Sequence, residues 1–338
     1  MSGGVASLDP SAIPPPTAEP RDPLDATHLG PEVVRRYLRR HGLDARRSLS
    51  QNHLVDGDAL RAILGEAAPT PGRRVLEIGP GIGILTGELL RGGAAVTAVE
   101  VDPRLAAHLR DRFAPALARG QEEARMEAPG PAAGGGGAPE EQGASVPGSL
   151  RLVEGDFLDL EVGDLVWPPY DVAANLPYHI TSPVLHRLLG APVPPERFVL
   201  MLQREVAERI AAPPGGMSYL SAFVQYHADV RLVRVVGAES FVPAPSVDSA
   251  VLAGVTRPRR LGDADEDRLW RLVQAGFRER RKMVLNVLSR QLPDVGKARI
   301  AAALDRAGIA PDRRPQTLSV EEWLALAAAL DRAGEEPS

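Results

Sequence analysis

Asn175-Leu176-Pro177-Tyr178 places an amide, a main-chain carbonyl and an aromatic ring next to one another. Proline fixes its own φ and restricts Leu176 to extended backbone, which can turn the Leu176 carbonyl into a pocket. The Asn175 side-chain oxygen and that carbonyl are two hydrogen-bond acceptors. An exocyclic amine such as that of adenine has two N–H groups and a lone pair delocalised into its ring. Two acceptors holding those N–H groups out of the ring plane localise the lone pair toward a methyl donor. The face of Tyr178 can stack on the base, which contributes roughly 1–3 kcal/mol. The methylated amine loses its proton readily, so positioning and electrostatics suffice without a strong base. Taken alone, the tetrapeptide is equally a strand that ends in a Pro-Tyr turn. Phe241 is open in the same way. Its turn is stiffened by Pro243 and Pro245, and it is either core or a second aromatic wall for a base that has left its stack.

A methyl donor needs its own site, and Val75-Leu-Glu-Ile-Gly-Pro-Gly-Ile-Gly-Ile-Leu-Thr86 supplies a candidate. An apolar strand runs into Gly79, Gly81 and Gly83, and helical spacing follows through Leu85, Leu89 and Leu90. The free N–H groups of a new helix face a ligand at such a turn. Glu100 ends the next apolar run, Ala95 to Val99, where an acidic residue suits the two hydroxyls of a ribose. The nicotinamide pattern G-x-G-x-x-G/A fails in both frames, because its last position falls on Ile84 or Thr86. Glu77 followed by alternate glycines is instead similar to motif I of class I S-adenosylmethionine (SAM) methyltransferases.

Strands are predicted at 75–78, 95–99, 150–154, 171–175 and 197–202, with helices between them, and further strands at 228–235 and 249–256. This alternation implies a parallel sheet covered on both faces, with ligands at the carboxyl ends of its strands. Glu77 to Gly83, Glu100, Asp156 and Asn175 all fall at such ends. Asp58 is the candidate cap of a helix over 59–67. Residues 1–28, rich in Pro, Ala and Asp, read as a disordered arm. Residues 120–148 are Gly-, Pro-, Ala- and Glu-rich and read as a disordered surface insertion. The methyltransferase-like domain is expected over 29–256, and a small helical domain over 257–332.

The 338 residues can bury a full core. With no cysteine there is no disulfide framework or thiolate metal site, and the seven histidines show no ligand spacing, so no metal is expected. No apolar run approaches the roughly 20 residues that cross a bilayer, and no secretory signal is evident, so the expected location is cytoplasmic, away from membranes. The net charge of −5 argues against a nucleic-acid partner on average, yet between Arg268 and Arg299 nine Arg/Lys face two acidic residues. Arg280, Arg281 and Lys282 are predicted at the start of a helix over 279–291, with Arg257, Arg259, Arg260, Arg290 and Arg299 extending a phosphate-binding surface. A second basic group, Arg35, Arg36, Arg39 and Arg40, lies on a helix over 32–41, followed by Arg46 and Arg47.

These motifs together resemble the ribosomal RNA adenine N6-dimethyltransferase family, most closely its KsgA/RsmA branch, from about Tyr37 to Leu330. The resemblance is carried by Gln51-Asn52-x-Leu54, Glu77 to Gly83, Glu100-Val-Asp102, Glu154-Gly-Asp156, Asn175 to Tyr178, Phe241-x-Pro-x-Pro-x-Val-Asp-Ser249 and Phe277-x-x-Arg280-Arg281-Lys282. It implies an α/β fold: a Rossmann-like class I SAM-dependent methyltransferase domain with a small C-terminal helical domain. It implies dimethylation of two adjacent adenosines near the 3′ end of small-subunit ribosomal RNA during subunit maturation, by a monomer using SAM. Asn52, Leu54, Gly79, Glu100, Asp156 and Asn175 would contact SAM, and Asn175, Tyr178 and Phe241 the target base. Ser50 and His53 depart from the family, which usually has Gly and Phe there. The alternatives are an Erm-like methyltransferase of large-subunit RNA, a DNA adenine methyltransferase and a non-catalytic assembly factor.

Overall fold

A computed structural model describes residues 22–43, 51–127 and 147–335. Residues 1–21 of the expected arm, Arg46, Arg47 and Ser50, and most of the expected insertion lie outside the described residues. The end of the arm is not disordered. Leu24 is fully buried, and the Asp22 carboxylate accepts from Arg112 at 2.7 Å and Arg91 at 3.2 Å. One buried leucine and one ion-pair network suffice to fix the segment that composition marked as featureless.

Helix α1 (Pro31–His41) starts with proline in its first turn and stops at Gly42, whose φ of 63° ends the helix. A short strand β1 (His53–Leu54) leads to α2 (Gly57–Ala67). The cap of α2 is Asp56, which accepts from the N–H groups of Asp58 and Ala59, so the expected cap at Asp58 lies two residues late. Then come β2 (Arg74–Ile78), α3 (Ile84–Arg91), β3 (Ala95–Glu100), α4 (Pro103–Arg112) and α5 (Ala114–Glu127). Helix α5 runs into the predicted insertion and corrects it. A Cβ on Gly120 would fall 2.4 Å from the Leu150 carbonyl oxygen, and the Arg119 guanidinium donates to the Gly148 carbonyl at 2.8 Å. Glycine there permits close packing rather than signalling a loop.

The chain continues through β4 (Ser149–Glu154), α6 (Val162–Leu165), β5 (Asp171–Asn175), α7 (Thr181–Leu189), β6 (Arg197–Gln203), α8 (Arg204–Ile210), α9 (Tyr219–His227), β7 (Ala228–Val236), β8 (Phe241–Val242) and β9 (Ser249–Thr256). Seven strands form one sheet in the order β4-β3-β2-β5-β6-β9-β7. The first five are parallel, but β9 runs antiparallel between β6 and β7, so the sheet is mixed rather than all-parallel. No crossover helix longer than a single 3-10 turn separates β7 from β9, and without one the chain returns antiparallel. β7 is an edge strand with a bulge between Leu232 and Arg234. The small β1–β8 pair aligns His53 with Val242 and Leu54 with Phe241. Apolar clusters cover both sheet faces, one around Leu60, Ile63 and Leu89 and the other around Leu176, Leu185 and Phe198.

Helices α10 (Asp263–Phe277), α11 (Val284–Gln291), α12 (Lys297–Arg306) and α13 (Val320–Glu335) follow β9. Their core around Trp323 also takes Met217 and Tyr226 from the preceding unit. Trp270 of α10 lies 5.1 Å from Phe223 and 5.2 Å from Tyr226 of α9, ring centre to ring centre. The helices are thereby seated on the sheet unit through aromatic contacts.

Candidate active site and nucleic-acid interface

The carboxyl ends of β2, β3 and β5 open into one cleft of about 900 Å³, its mouth included. Asn52, Leu54, Glu77, Gly79, Glu100, Asn175, Leu176, Pro177 and Tyr178 all line it. A strand end places each side chain there, and the turn that follows frees backbone groups. Gly79, Gly81 and Gly83 have φ of 70°, 60° and 80°. At Gly83 the lack of a side chain also lets α4 approach, because a Cβ would fall 2.5 Å from the Phe113 ring.

Both oxygens of Glu100 accept from backbone: Oε2 from Gly81 N at 3.0 Å and Oε1 from Asp102 N at 2.9 Å. Burial raises its pKa, and those bonds only partly oppose it. Each carboxylate oxygen has further lone pairs to offer a ligand hydroxyl. Glu77 is 2 % exposed and accepts the Thr86 hydroxyl at 2.7 Å. Burial pushes it up to about 8, the Thr86 bond opposes this, and the charge of Glu100 adds to it. Gln51 reaches across to the Asp102 carboxylate at 3.1 Å, tying the start of the β1 segment to the cleft wall.

The Asn175 amide donates from Nδ2 to the Asn52 carbonyl at 3.3 Å, which leaves Oδ1 as its acceptor in the cleft. Leu176 is 1 % exposed, and its N–H is taken by the Met201 carbonyl at 3.2 Å, locking the turn after the strand. The Tyr178 hydroxyl lies 2.8 Å from the hydroxyl of Ser249, which is fully buried at the start of β9. Sequence motifs included Ser249 but assigned it no contact. Only the inserted antiparallel strand shows that it anchors the Tyr178 ring.

Two expected residues are not brought into the lining. Asp156 is exposed just beyond β4, where its side chain accepts the Leu158 N–H and caps a 3-10 turn. Phe241 is 2 % exposed and packs in the same core cluster as Leu54, its partner in register, so it seats β1 rather than forming an aromatic wall.

The basic surface is also corrected. Arg280, Arg281 and Lys282 lie in the exposed turn between α10 and α11, not on a helix. The Lys282 N–H closes that turn on the Glu279 carbonyl at 2.8 Å. Among the described residues none of the three has an ion-pair partner. The arginines expected to extend them are occupied. Arg257 pairs with Asp229, Arg259 with Glu266, Arg260 with Glu321 and Arg290 with Glu279, while Arg299 donates to the Leu330 carbonyl. Arg314 is the unforeseen neighbour: exposed, it follows Arg313, whose carbonyl accepts the Val284 N–H at 2.7 Å.

The family described as ribosomal RNA adenine dimethylase matches residues 42–119 and 141–332. The ribosomal RNA small subunit methyltransferase A of Geobacter sulfurreducens is 39 % identical over 304 residues, covering 88 % of this chain and 99 % of that protein. The protein of the same name from Anaeromyxobacter sp. (strain K) is 40 % identical over 310 residues, covering 88 % and 97 %. Among solved structures, the 23S rRNA methyltransferase ErmE aligns with a TM-score of 0.60 at 28 % identity, over 83 % of this chain and all of that one. A dimethyladenosine transferase from Plasmodium falciparum has the same fold, with a TM-score of 0.62 at 24 % identity over 83 % of this chain and 98 % of that one.

Proposed function

This chain belongs to the ribosomal RNA adenine dimethylase family, and from that premise we propose which RNA it modifies and how its cleft does so. It is a SAM-dependent methyltransferase of ribosomal RNA, with the Rossmann-like fold of that class. Its substrate is two adjacent adenosines near the 3′ end of small-subunit RNA, presented in an immature subunit to a monomeric enzyme. The two relatives carry the small-subunit name and align over nearly their whole length, which favours this reading over an Erm-like one.

The residues present fit the cofactor: three left-handed glycines leave the strand end bare, and a buried carboxylate lies beside them. When bound, SAM supplies an electrophilic methyl group on a sulfonium centre. Glu100 would accept from the ribose hydroxyls, and Asn52 and Leu54 would close over the other side; Asp156, exposed just beyond the lining at the neighbouring strand end, would have to turn its carboxylate inward to meet the adenine amine of the cofactor. Asn175 Oδ1 and the Leu176 carbonyl accept the two N–H groups of the target amine, and Tyr178 holds the base by its face. With both N–H groups held, the lone pair of the target amine would point toward the methyl group the cofactor supplies, and these residues would need no strong base, because the methylated amine readily gives up its proton to solvent. The observation that carries this assignment is the Asn175 Nδ2 bond to Asn52, because it fixes the acceptor end of the amide in the cleft.

Arg280, Arg281 and Lys282 hold RNA by its backbone, which positions without reading sequence, so selectivity comes from the shape of the folded RNA. The test is methyl incorporation and affinity with purified immature small subunits, with large subunits as control. Replacing all three cations by Ala lowers the salt dependence of binding by about 0.7–0.9 in slope per lost phosphate contact and leaves SAM affinity unchanged. An unchanged slope shows a merely solvated turn. Preferred methylation of large subunits overturns the small-subunit assignment.

A further inference from the structure

Helix α1 carries a basic group that neither the core nor the cleft uses. Arg36, Arg39 and Arg40 are all exposed. Their spacing of three and four residues gathers them on one side of the helix, opposite Val34 and Leu38, which are buried in the core cluster of Leu54 and Ile82. Glu32, the acidic residue of this helix, is taken by Arg35 at 2.6 Å. Among the described residues Arg36, Arg39 and Arg40 have no ion-pair partner. Like charges at these spacings repel one another. The helix dipole favours Arg39 and Arg40 in the last turn but not Arg36, one turn earlier. An anion from outside the helix would relieve the repulsion among all three.

The place of α1 in the fold says which anion. Arg112 of α4 lies 5.7 Å from the centre of the Tyr37 ring and donates to the Ile82 carbonyl, so α1 stands one side chain behind the glycine turn of the cleft. The Tyr37 hydroxyl meets His108 Nε2 at 3.0 Å, which fixes α1 to α4. Helix α1 packs into the cluster on one sheet face. The helical unit that bears Arg280, Arg281 and Lys282 is seated on the other, where Trp270 packs against the cluster of Leu176 and Phe198. The cleft opens at the strand ends between these two faces. A target base held there belongs to a chain that leaves the cleft on both sides, with a phosphate at every nucleotide. Such a chain is long enough to reach both basic groups, whereas a single nucleotide or the cofactor is not.

We propose that Arg36, Arg39 and Arg40 form a second contact to the RNA backbone, so that the substrate is gripped from both faces of the sheet while its base enters the cleft. This rests on the reading of the cleft as an RNA adenosine methyltransferase site. The contact fixes position and does not read sequence.

The experiment measures affinity for purified immature small subunits across a salt series. It compares the full chain, a variant with Arg36→Ala, Arg39→Ala and Arg40→Ala, and a variant with Lys at the same three positions. The alanine variant is expected to lose about 0.7–0.9 in salt slope for each phosphate contact removed. Its SAM affinity and melting temperature should stay those of the unaltered protein, because the three side chains touch neither the cofactor's strand ends nor the core. The lysine variant keeps the charge and should keep most of the slope. Alanines at Arg280, Arg281 and Lys282 should add their loss to that of α1, because the two contacts share no residue. An unchanged slope in the alanine variant overturns the inference, as does a weakening that the lysine variant shares in full, which marks a role other than charge. Failure of the unaltered protein to bind ribosomal RNA overturns the reading of the cleft as well, so the two failures are read from different samples.

Discussion

The two ends of the central sheet handle buried acids in opposite ways. At the amino end, Asp171 opens β5, 3 % exposed, and is clasped by Arg73 at 2.6 and 2.8 Å and by Arg197 at 2.7 Å. Burial alone would raise its pKa, but the bonds from the two arginines prevail and lower it. At the carboxyl end of neighbouring strands, Glu77 and Glu100 are as deeply buried, yet a hydroxyl and backbone N–H groups are their hydrogen-bond partners. Burial prevails there and raises both. One edge uses its charge to hold strands together. The other keeps acceptors uncommitted to any cation, at a cost in stability, and so available to a ligand.

Replacing Asp171 by Ala should have the largest effect, and on stability alone. It leaves two guanidinium groups without their shared acceptor and is expected to cost about 3 kcal/mol in a denaturant melt. Catalysis per folded molecule should stay unchanged. Because the folded pKa of Asp171 is depressed, its contribution is present above the unfolded value and is lost as pH falls through the folded one. At the open edge, Asn175→Ala should reverse the pattern. Methyl transfer is expected to fall by at least about 100-fold, or about 2.7 kcal/mol in barrier. Subunit binding and melting temperature should hardly move, and wild-type turnover in this variant would sink the role given to its amide.

The smallest effect sharpens the contrast through pH. The folded pKa of Glu77 lies above its unfolded value, so its contribution to stability is full below about 4.5 and is lost as pH rises toward 8. Glu77→Gln stays neutral throughout and can still accept the Thr86 hydroxyl. It should melt like the unaltered protein near pH 4.5 and at a higher temperature than the unaltered protein near pH 8.5. A pH-independent difference would mean that the open edge carries no uncompensated charge.

What was legible in the sequence is what local order dictates. Gly79, Glu100 and Asn175 to Tyr178 come straight after apolar runs, so strand ends place them without knowledge of the rest of the fold. The contacts that were not legible join distant segments. Nothing local tells that Ser249 meets Tyr178, or that Phe241 packs with Leu54 rather than into the cleft. The basic surface failed for the same reason. Asp229, Glu266 and Glu321, which neutralise its expected flanks, come from three separate helices and strands. Composition misled at Gly120, where a glycine read as a loop residue is a point of close approach.

The margins of the sheet bear on how the protein behaves in a crowded solution. A seven-stranded sheet has two rims, and a bare rim is a template onto which a second chain can add a strand. One rim, β4, has α5 laid along it. The other, β7, leaves Leu232 and Val235 partly exposed, but its bulge breaks the ladder between Leu232 and Arg234. Arg231, tied to Glu66, and the exposed Arg234 place charged side chains along the same strand. Neither rim offers a flat, uncharged row of backbone groups, so protection against strand-to-strand aggregation is built into both sides of the sheet.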